Sequence, residues 1–223
     1  MRLLSWLGIL LASAPAAWAA EKPSSLPDGT LLFLENCNSV VEYTTHGEIA
    51  HVALIFHDDS DAWVYEATPG KVRRVTLHDY YTELARLNQR RDDDNQIRVI
   101  ALRPQVPYSA EEVAKMRSCL DGQLGRRYSV KNYVRGKPYD GIHCAELAST
   151  TLNHSGRYAF DACHKIHPQA LYDALLPTHA SPLPITIPRL VAQEPWYVRL
   201  HRRWIGWFTW CRWSTREAWL FLW

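Results

Sequence analysis

Short apolar runs separated by turn residues occupy the first half of the chain. The runs at 30–34 (TLLFL), 49–56 (IAHVALIF), 62–67 (AWVYEA), 72–76 (VRRVT) and 97–102 (IRVIAL) are short and rich in β-branched and aromatic residues. This composition favours strands over helices, and turn signals such as Pro27-Asp28-Gly29 bound the runs. The pattern predicts a mostly antiparallel sheet.

Helical patterns follow the strands. Apolar residues recur at helical spacing over 78–88, and Ser109 with Glu112 forms a capping box that opens a helix ending near Leu124. Further helices are predicted from Cys144 and over 168–176, whereas the polar stretch 36–47 is predicted to be a loop. Strands followed by helices predict an α+β fold with the helices on one side of the sheet.

The two ends of the chain differ in character from this core. Residues 1–19 have a positive start, an apolar stretch and the small-x-small site Ala17-Trp18-Ala19, which predicts a signal peptide. An uncleaved N-terminal anchor is the alternative. We expect a folded domain over 20–180, a Pro-rich linker over 181–195 and a separate tail over 196–223. Export to a bacterial periplasm is the natural setting, with a peripheral contact to the membrane.

Composition and charge narrow the partners. The chain is 47% hydrophobic and 22% charged, as expected for a folded domain, and its formal charge of +2 gives no reason to expect a nucleic-acid partner. Most of the ten tryptophans lie in the tail, interleaved with arginines, as in Arg202, Arg203, Trp204, Trp207 and Trp210. Trp and Arg together suit the headgroup zone of a membrane, and packing on the domain or on a partner protein is the alternative.

Cys144 is the strongest candidate for chemistry. It follows the turn at Gly141 and begins an apolar run, so its thiol is expected at a helix N-terminus, where backbone N–H groups favour the thiolate. A buried core cysteine is the alternative. The cysteine count is odd, so at least one thiol stays unpaired within an exported chain; the pairing of the others is open (Cys37, Cys119, Cys163 and Cys211).

His51 and Glu66 each stand alone in an apolar strand. If these strands pair as a hairpin across the turn near Asp59, His51 falls opposite Glu66 or one position away, and both side chains lie on one face. A carboxylate beside an imidazole orients it, and an imidazole beside a thiol removes its proton. The alternative is an ordinary core histidine.

Three segments carry a resemblance to a known family. HVALIF, VYEATPG and GKPYDGIHCAEL resemble the permuted papain-like amidases of the YaeF/YiiX type, exported relatives of NlpC-type cell-wall peptidases, over roughly residues 27–176. The resemblance implies a circularly permuted papain-like fold, in which an antiparallel sheet is packed with helices and the histidine strand precedes the cysteine helix. It implies that Cys144 is the nucleophile, His51 the general base and acid, and Glu66 the residue that orients His51.

Other residues near Cys144 have less definite roles. Tyr139 or Tyr128 is a candidate to bind the oxyanion, together with the backbone N–H of Cys144. Glu146 is interpreted as structural. His143 is a candidate to assist Cys144, but it points a helical step away and is interpreted as a flanking surface residue. Neither H-E-x-x-H nor paired C-x-x-C spacing occurs, so we expect no metal and no cofactor.

The sequence thus predicts an exported cysteine hydrolase that cleaves an amide or ester bond through an acyl-thioester. A cell-wall peptide and an acylated or lipid substrate are both open. The alternatives are a thiol acyltransferase with the same triad and a non-catalytic binding domain of the same fold.

Overall fold

The structure is a computed structural model that describes residues 26–58, 61–137, 140–187 and Trp204. The predicted signal peptide and, apart from Trp204, the predicted tail lie outside these residues. The strands are β1 (Thr30–Glu35), β2 (Ile49–His57), β3 (Ala62–Ala67), β4 (Val72–Thr76), β5 (Arg98–Leu102) and β6 (Leu183–Ile185). The helices are α1 (Ser39–Thr45), α2 (Leu77–Asn88), α3 (Ala110–Gln123), α4 (Lys131–Arg135), α5 (Cys144–His154) and α6 (Pro168–Leu175).

The six strands form one sheet in the order β4-β3-β2-β1-β5-β6, and every neighbouring pair is antiparallel. The predicted α+β class is therefore confirmed. Strand β6 lies within the predicted linker and pairs with β5, with Val99 opposite Ile185. That part of the Pro-rich stretch belongs to the sheet.

Both faces of the sheet are covered. Side chains of β1 alternate between two cores: Leu31 and Phe33 pack with α3, α5 and α6, whereas Leu32 and Leu34 pack with α2. The prediction that all helices lie on one side is wrong for α2. The physical reason is that the central strands are apolar at nearly every position, so each face needs its own cover.

The stretch 36–47, predicted to be a loop, contains the short helix α1. Asn38 begins it, because its side-chain oxygen accepts a hydrogen bond from the backbone N–H of Val41 at 3.3 Å. The polar composition of the stretch hid this helix. Among the residues that the structure describes, no helix combines the length and apolarity required to cross a bilayer.

Candidate active site

Strands β2 and β3 bring His51 and Glu66 together. Leu54 lies opposite Tyr65, and one further step of the same register places Ala53 opposite Glu66. His51 lies two positions before Ala53 on β2, so Glu66 is diagonal to His51 and on the same face of the sheet. The sequence predicted that the two side chains share a face. It placed His51 opposite Glu66 or one position away, whereas the structure gives an offset of two positions. His51 Nε2 lies 2.8 Å from Glu66 Oε2.

A β-bulge lies beside His51. On β1, Leu34 pairs with His51 and the next residue, Glu35, pairs with Ile49, so Ala50 is the extra residue of β2. A bulge bends its strand and changes the direction of nearby side chains, and bulges are frequent next to active sites. The bulge thus marks the end of the regular strand at which His51 is presented.

Cys144 is the first residue of α5, as the sequence predicted, and it is 5% exposed. A tight turn fixes the segment that leads into the helix. Gly141 has φ +105°, and an added Cβ would lie 2.6 Å from the Cβ of Ser129. Backbone hydrogen bonds join Ile142 N to Arg127 O at 2.9 Å and Ser129 N to Ile142 O at 3.1 Å. These backbone hydrogen bonds therefore fix the chain where it enters α5, just before Cys144.

The Cys144 thiol lies near the imidazole rings of His51 and His143, and both rings act on its pKa. Because Nε2 of His51 binds Glu66, Nδ1 is the ring nitrogen that remains for the thiol. Burial by itself would raise the pKa of Cys144, but the positive charge of His51 and the interaction with His143 outweigh burial and lower that pKa below its usual value of 9.0.

The pKa of His51 shifts in the opposite direction. Burial by itself would lower it, but the negative charge of Cys144 and the hydrogen bonds to Cys144 and Glu66 raise it above its usual value of 6.5. A lowered thiol pKa and a raised imidazole pKa both favour a thiolate beside an imidazolium. This is the charge state in which a cysteine acts as a nucleophile.

Glu66 is nearly inaccessible, with only 4% of its surface exposed. Burial by itself would raise its pKa, but the hydrogen bond and charge of His51, together with Arg73, lower it. Arg73 Nε donates to Glu66 Oε1 at 2.8 Å, and Arg73 Nη2 lies 2.6 Å from the same oxygen. Glu66 is therefore held as a carboxylate behind His51.

His143 differs from the sequence prediction. It is not a surface residue, since only 4% of it is exposed. Its Nδ1 accepts the backbone N–H of Glu146 at 3.3 Å, so it caps α5, and its Nε2 lies 3.2 Å from the carbonyl oxygen of His164. From the sequence, the side chain was expected to point one helical step away from Cys144. The capping geometry instead turns the ring back over the first turn, toward the thiol.

The remaining neighbours have different outcomes. Glu146 accepts hydrogen bonds from the amide of Asn132 at 3.2 and 3.0 Å, which agrees with a structural role. Tyr128 is half-buried and forms a parallel bridge with Ile142, two residues before Cys144. Tyr139 lies outside the described residues. The oxyanion roles of the two tyrosines thus stay predictions.

Arg73 and Cys37 were missed by the sequence analysis. Counting outward from the Pro69-Gly70 turn pairs Arg73 with Glu66, so the hairpin pattern contained the signal for Arg73. Cys37 follows β1, and its pKa is raised, first by burial and then by the charge of Cys144, so its thiol stays neutral. Nothing in the sequence around Cys37 indicates that it lies near Cys144.

The other thiols and possible metal ligands add no second centre. Within 26–58, 61–137 and 140–187, the cysteines are all free: Cys37, Cys119, Cys144 and Cys163. Cys211 lies outside the described residues. Across those same ranges, no group of three or more His, Cys, Asp and Glu side chains is placed to hold a metal ion.

The geometry defines an α+β protein with a buried Cys–His–Glu constellation. No family model matches the chain, and no curated protein matches its sequence. Among solved structures, the chain is similar to the crystal structure of the metalloprotein YiiX from Escherichia coli O157:H7, with a TM-score of 0.48 and 15% identity, over 76% of this chain and 93% of that chain. The matched protein bears the YiiX name that the sequence resemblance gave, and the match assigns neither a fold nor a residue role to this chain.

Proposed function

We propose that this protein is a cysteine hydrolase that cleaves an amide or ester bond through an acyl-thioester on Cys144. The observation that carries the proposal is the His51–Glu66 contact at 2.8 Å beside Cys144, where His51 lowers the pKa of the thiol and the thiol raises the pKa of the imidazole. Strongly perturbed groups that contact each other in a triad geometry are typical of nucleophilic sites.

The residues define a sequence of steps. The Cys144 thiolate attacks the carbonyl carbon, and the charge that develops on the oxygen faces the backbone N–H of Cys144, which has no acceptor within the helix. The His51 imidazolium gives its proton to the leaving amine or alcohol as the carbon–heteroatom bond breaks. His51 then takes a proton from water, the resulting hydroxide attacks the thioester carbon, and the carbon–sulfur bond breaks to restore the thiolate. The carboxylic acid product leaves and gives its proton to solvent. Glu66 orients the ring throughout.

The circularly permuted papain-like arrangement is part of this proposal. It is supported by chain order, since the strands that carry His51 and Glu66 precede the helix that begins at Cys144. The packing of α5 against the sheet, through buried residues such as Leu147 and Leu152, also agrees with it. A nucleophile at a helix start and a base on a strand are what this arrangement requires.

Substrate and location are proposed from the sequence at the two ends. The predicted signal peptide supports an exported enzyme of the bacterial periplasm, which acts on a cell-wall peptide or on an acylated or lipid substrate. The interleaved Trp and Arg residues of the tail support a contact with the membrane surface. Trp204, the tail residue that the structure describes, is 55% exposed.

Labelling with a thiol-directed, activity-based probe tests the chemistry. We expect Cys144→Ala to abolish both labelling and turnover, and Cys163→Ser, at a free thiol outside the triad, to retain both. A screen on muropeptides and on lipids then identifies the substrate. Labelling or turnover that persists in the Cys144→Ala protein would overturn the proposal.

The two alternatives are separated by specific observations. A non-catalytic domain requires His51 out of reach of the thiol or Cys144 in a disulfide, whereas the contact with His51 and the free thiol favour an enzyme. An acyltransferase would use the same triad with an amine or alcohol in place of water. Product analysis with and without an added acceptor distinguishes transfer from hydrolysis.

A further inference from the structure

We propose that Arg73, held in place by Glu83, is a positioning residue of this site: it orients the Glu66 carboxylate and keeps it ionised, so that His51 stays protonated beside the Cys144 thiolate. The inference rests on the proposed function and extends it beyond the triad. Its basis is a chain of contacts that runs from the half-exposed rim of α2 into the buried site.

Arg73 and His51 hold different oxygens of Glu66. The β3–β4 register places Arg73 directly opposite Glu66, and its guanidinium binds Oε1. Oε2 binds His51 Nε2 at 2.8 Å. Rotation of the carboxylate would break both sets of contacts, so Arg73 fixes the oxygen that orients the imidazole. An arginine suits this role because its planar guanidinium presents several N–H donors in fixed directions.

The other edge of the guanidinium is fixed by α2. Arg73 Nη1 donates to Glu83 Oε1 at 3.2 Å, and Nη2 lies 2.5 Å from Glu83 Oε2. The side chains become more exposed along this chain, from 5% at Glu66 to 30% at Arg73 and 43% at Glu83. Arg73 thus binds a carboxylate on each side, Glu66 and Glu83, and places its positive charge beside the buried carboxylate of Glu66.

Glu66 needs this charge because it is buried. Burial favours the neutral acid, and a neutral Glu66 would not stabilise an imidazolium at His51. The charge of Glu66 helps to raise the pKa of Tyr80. The Tyr80 hydroxyl is nevertheless buried without a hydrogen-bond partner, so it donates no hydrogen bond to Glu66. The charged groups that act on Glu66 are His51 on β2 and Arg73 on β4. Tyr80 on α2 also lies near Glu66, Glu83 on α2 lies beyond Arg73, and Cys144 on α5 lies beyond His51.

The test measures the rate at which iodoacetamide alkylates Cys144 as a function of pH, in the full-length protein, with the Cys144→Ala protein as background. In the Arg73→Met protein, we expect the acidic limb of the profile to move to higher pH by about one unit, which is about a tenfold loss of rate at a pH on that limb. Arg74→Met is the matched control, because Arg74 is adjacent on β4 but pairs with Asp58 at 2.8 Å. We expect its profile to match that of the wild type.

Arg73→Lys separates charge from orientation and guards against a folding defect. A lysine keeps the positive charge but cannot bind both carboxylates as a guanidinium does. We therefore expect an acidic limb near that of the wild type and a plateau rate reduced severalfold. A natively folded Arg73→Met protein with an unshifted limb would overturn the inference, as would an Arg73→Lys protein identical to the wild type. Absence of Cys144-dependent alkylation in the wild type would instead overturn the proposed function.

Discussion

Replacing Glu66 with glutamine removes the charge behind His51 while keeping the shape of the side chain. The carboxylate is 4% exposed and binds His51 at 2.8 Å, so the substitution breaks a buried, charge-assisted hydrogen bond. Hydrogen bonds to charged groups contribute about 1.5–3 kcal/mol. Since 1.36 kcal/mol corresponds to a tenfold change in rate, we expect kcat/KM to fall about 10- to 150-fold.

The assay compares kcat/KM and the alkylation rate of Cys144 in the Glu66→Gln protein with those in an Asp121→Asn protein. Asp121 accepts a hydrogen bond from Tyr65 at 2.9 Å, so this control makes the same acid-to-amide change at a contact outside the triad. We expect the control to stay within twofold of the wild type, a difference of about 0.4 kcal/mol. Loss of activity should occur without loss of fold, which thermal melting checks. A Glu66→Gln protein as active as the control would refute the role of Glu66.

Three further predictions concern the surroundings of the thiol. Gly141→Ala should lower the free energy of unfolding by about 1–3 kcal/mol, because φ is +105° there and the added Cβ would clash with neighbouring atoms. Gly122→Ala is the control, since an added Cβ there meets nothing, and thermal melting should show no loss of stability. The pH–rate profile should be bell-shaped. Activity should rise with pH as Cys144 ionises with a pKa below 9.0, and it should fall as His51 loses its proton with a pKa above 6.5. A profile that only rises toward pH 9.0 would contradict the ion pair. His143→Ala should lose the helix cap, which costs about 0.5–2 kcal/mol of stability, and should raise the pKa of Cys144. His143→Asn should restore the stability but not the pKa of Cys144. A pH profile of alkylation in His143→Ala that matches the wild type would exclude an effect of His143 on the thiol.

The sheet was largely predictable because its strands are short, apolar and bounded by turn residues. The predicted strands at 49–56 and 62–67 differ from β2 and β3 by at most one residue. Helix α1 was not predictable in the same way, since a polar segment forms it around the Asn38 cap. The placement of α2 on the second face also required knowledge of which side of each strand is covered, and period-two patterns are lost where both faces are buried.

Candidate site residues were easier to find than their exact relations. His51, Glu66 and Cys144 were identified because each is polar or reactive in an apolar setting, and the structure brings them into contact. The diagonal offset of Glu66 from His51 depends on hairpin register, which a turn of uncertain length does not fix. The buried position of His143 depends on capping geometry, and residue spacing along the helix does not reveal it.

The most direct test of the central claim is mass spectrometry of the protein during turnover of an amide or ester substrate. We predict an acyl adduct on the peptide that contains Cys144, which accumulates when deacylation is slowed and disappears as product forms. The same adduct should be absent from the Cys144→Ala protein, which should have no turnover. Turnover by that variant, or an adduct on another residue, would contradict the proposed nucleophile.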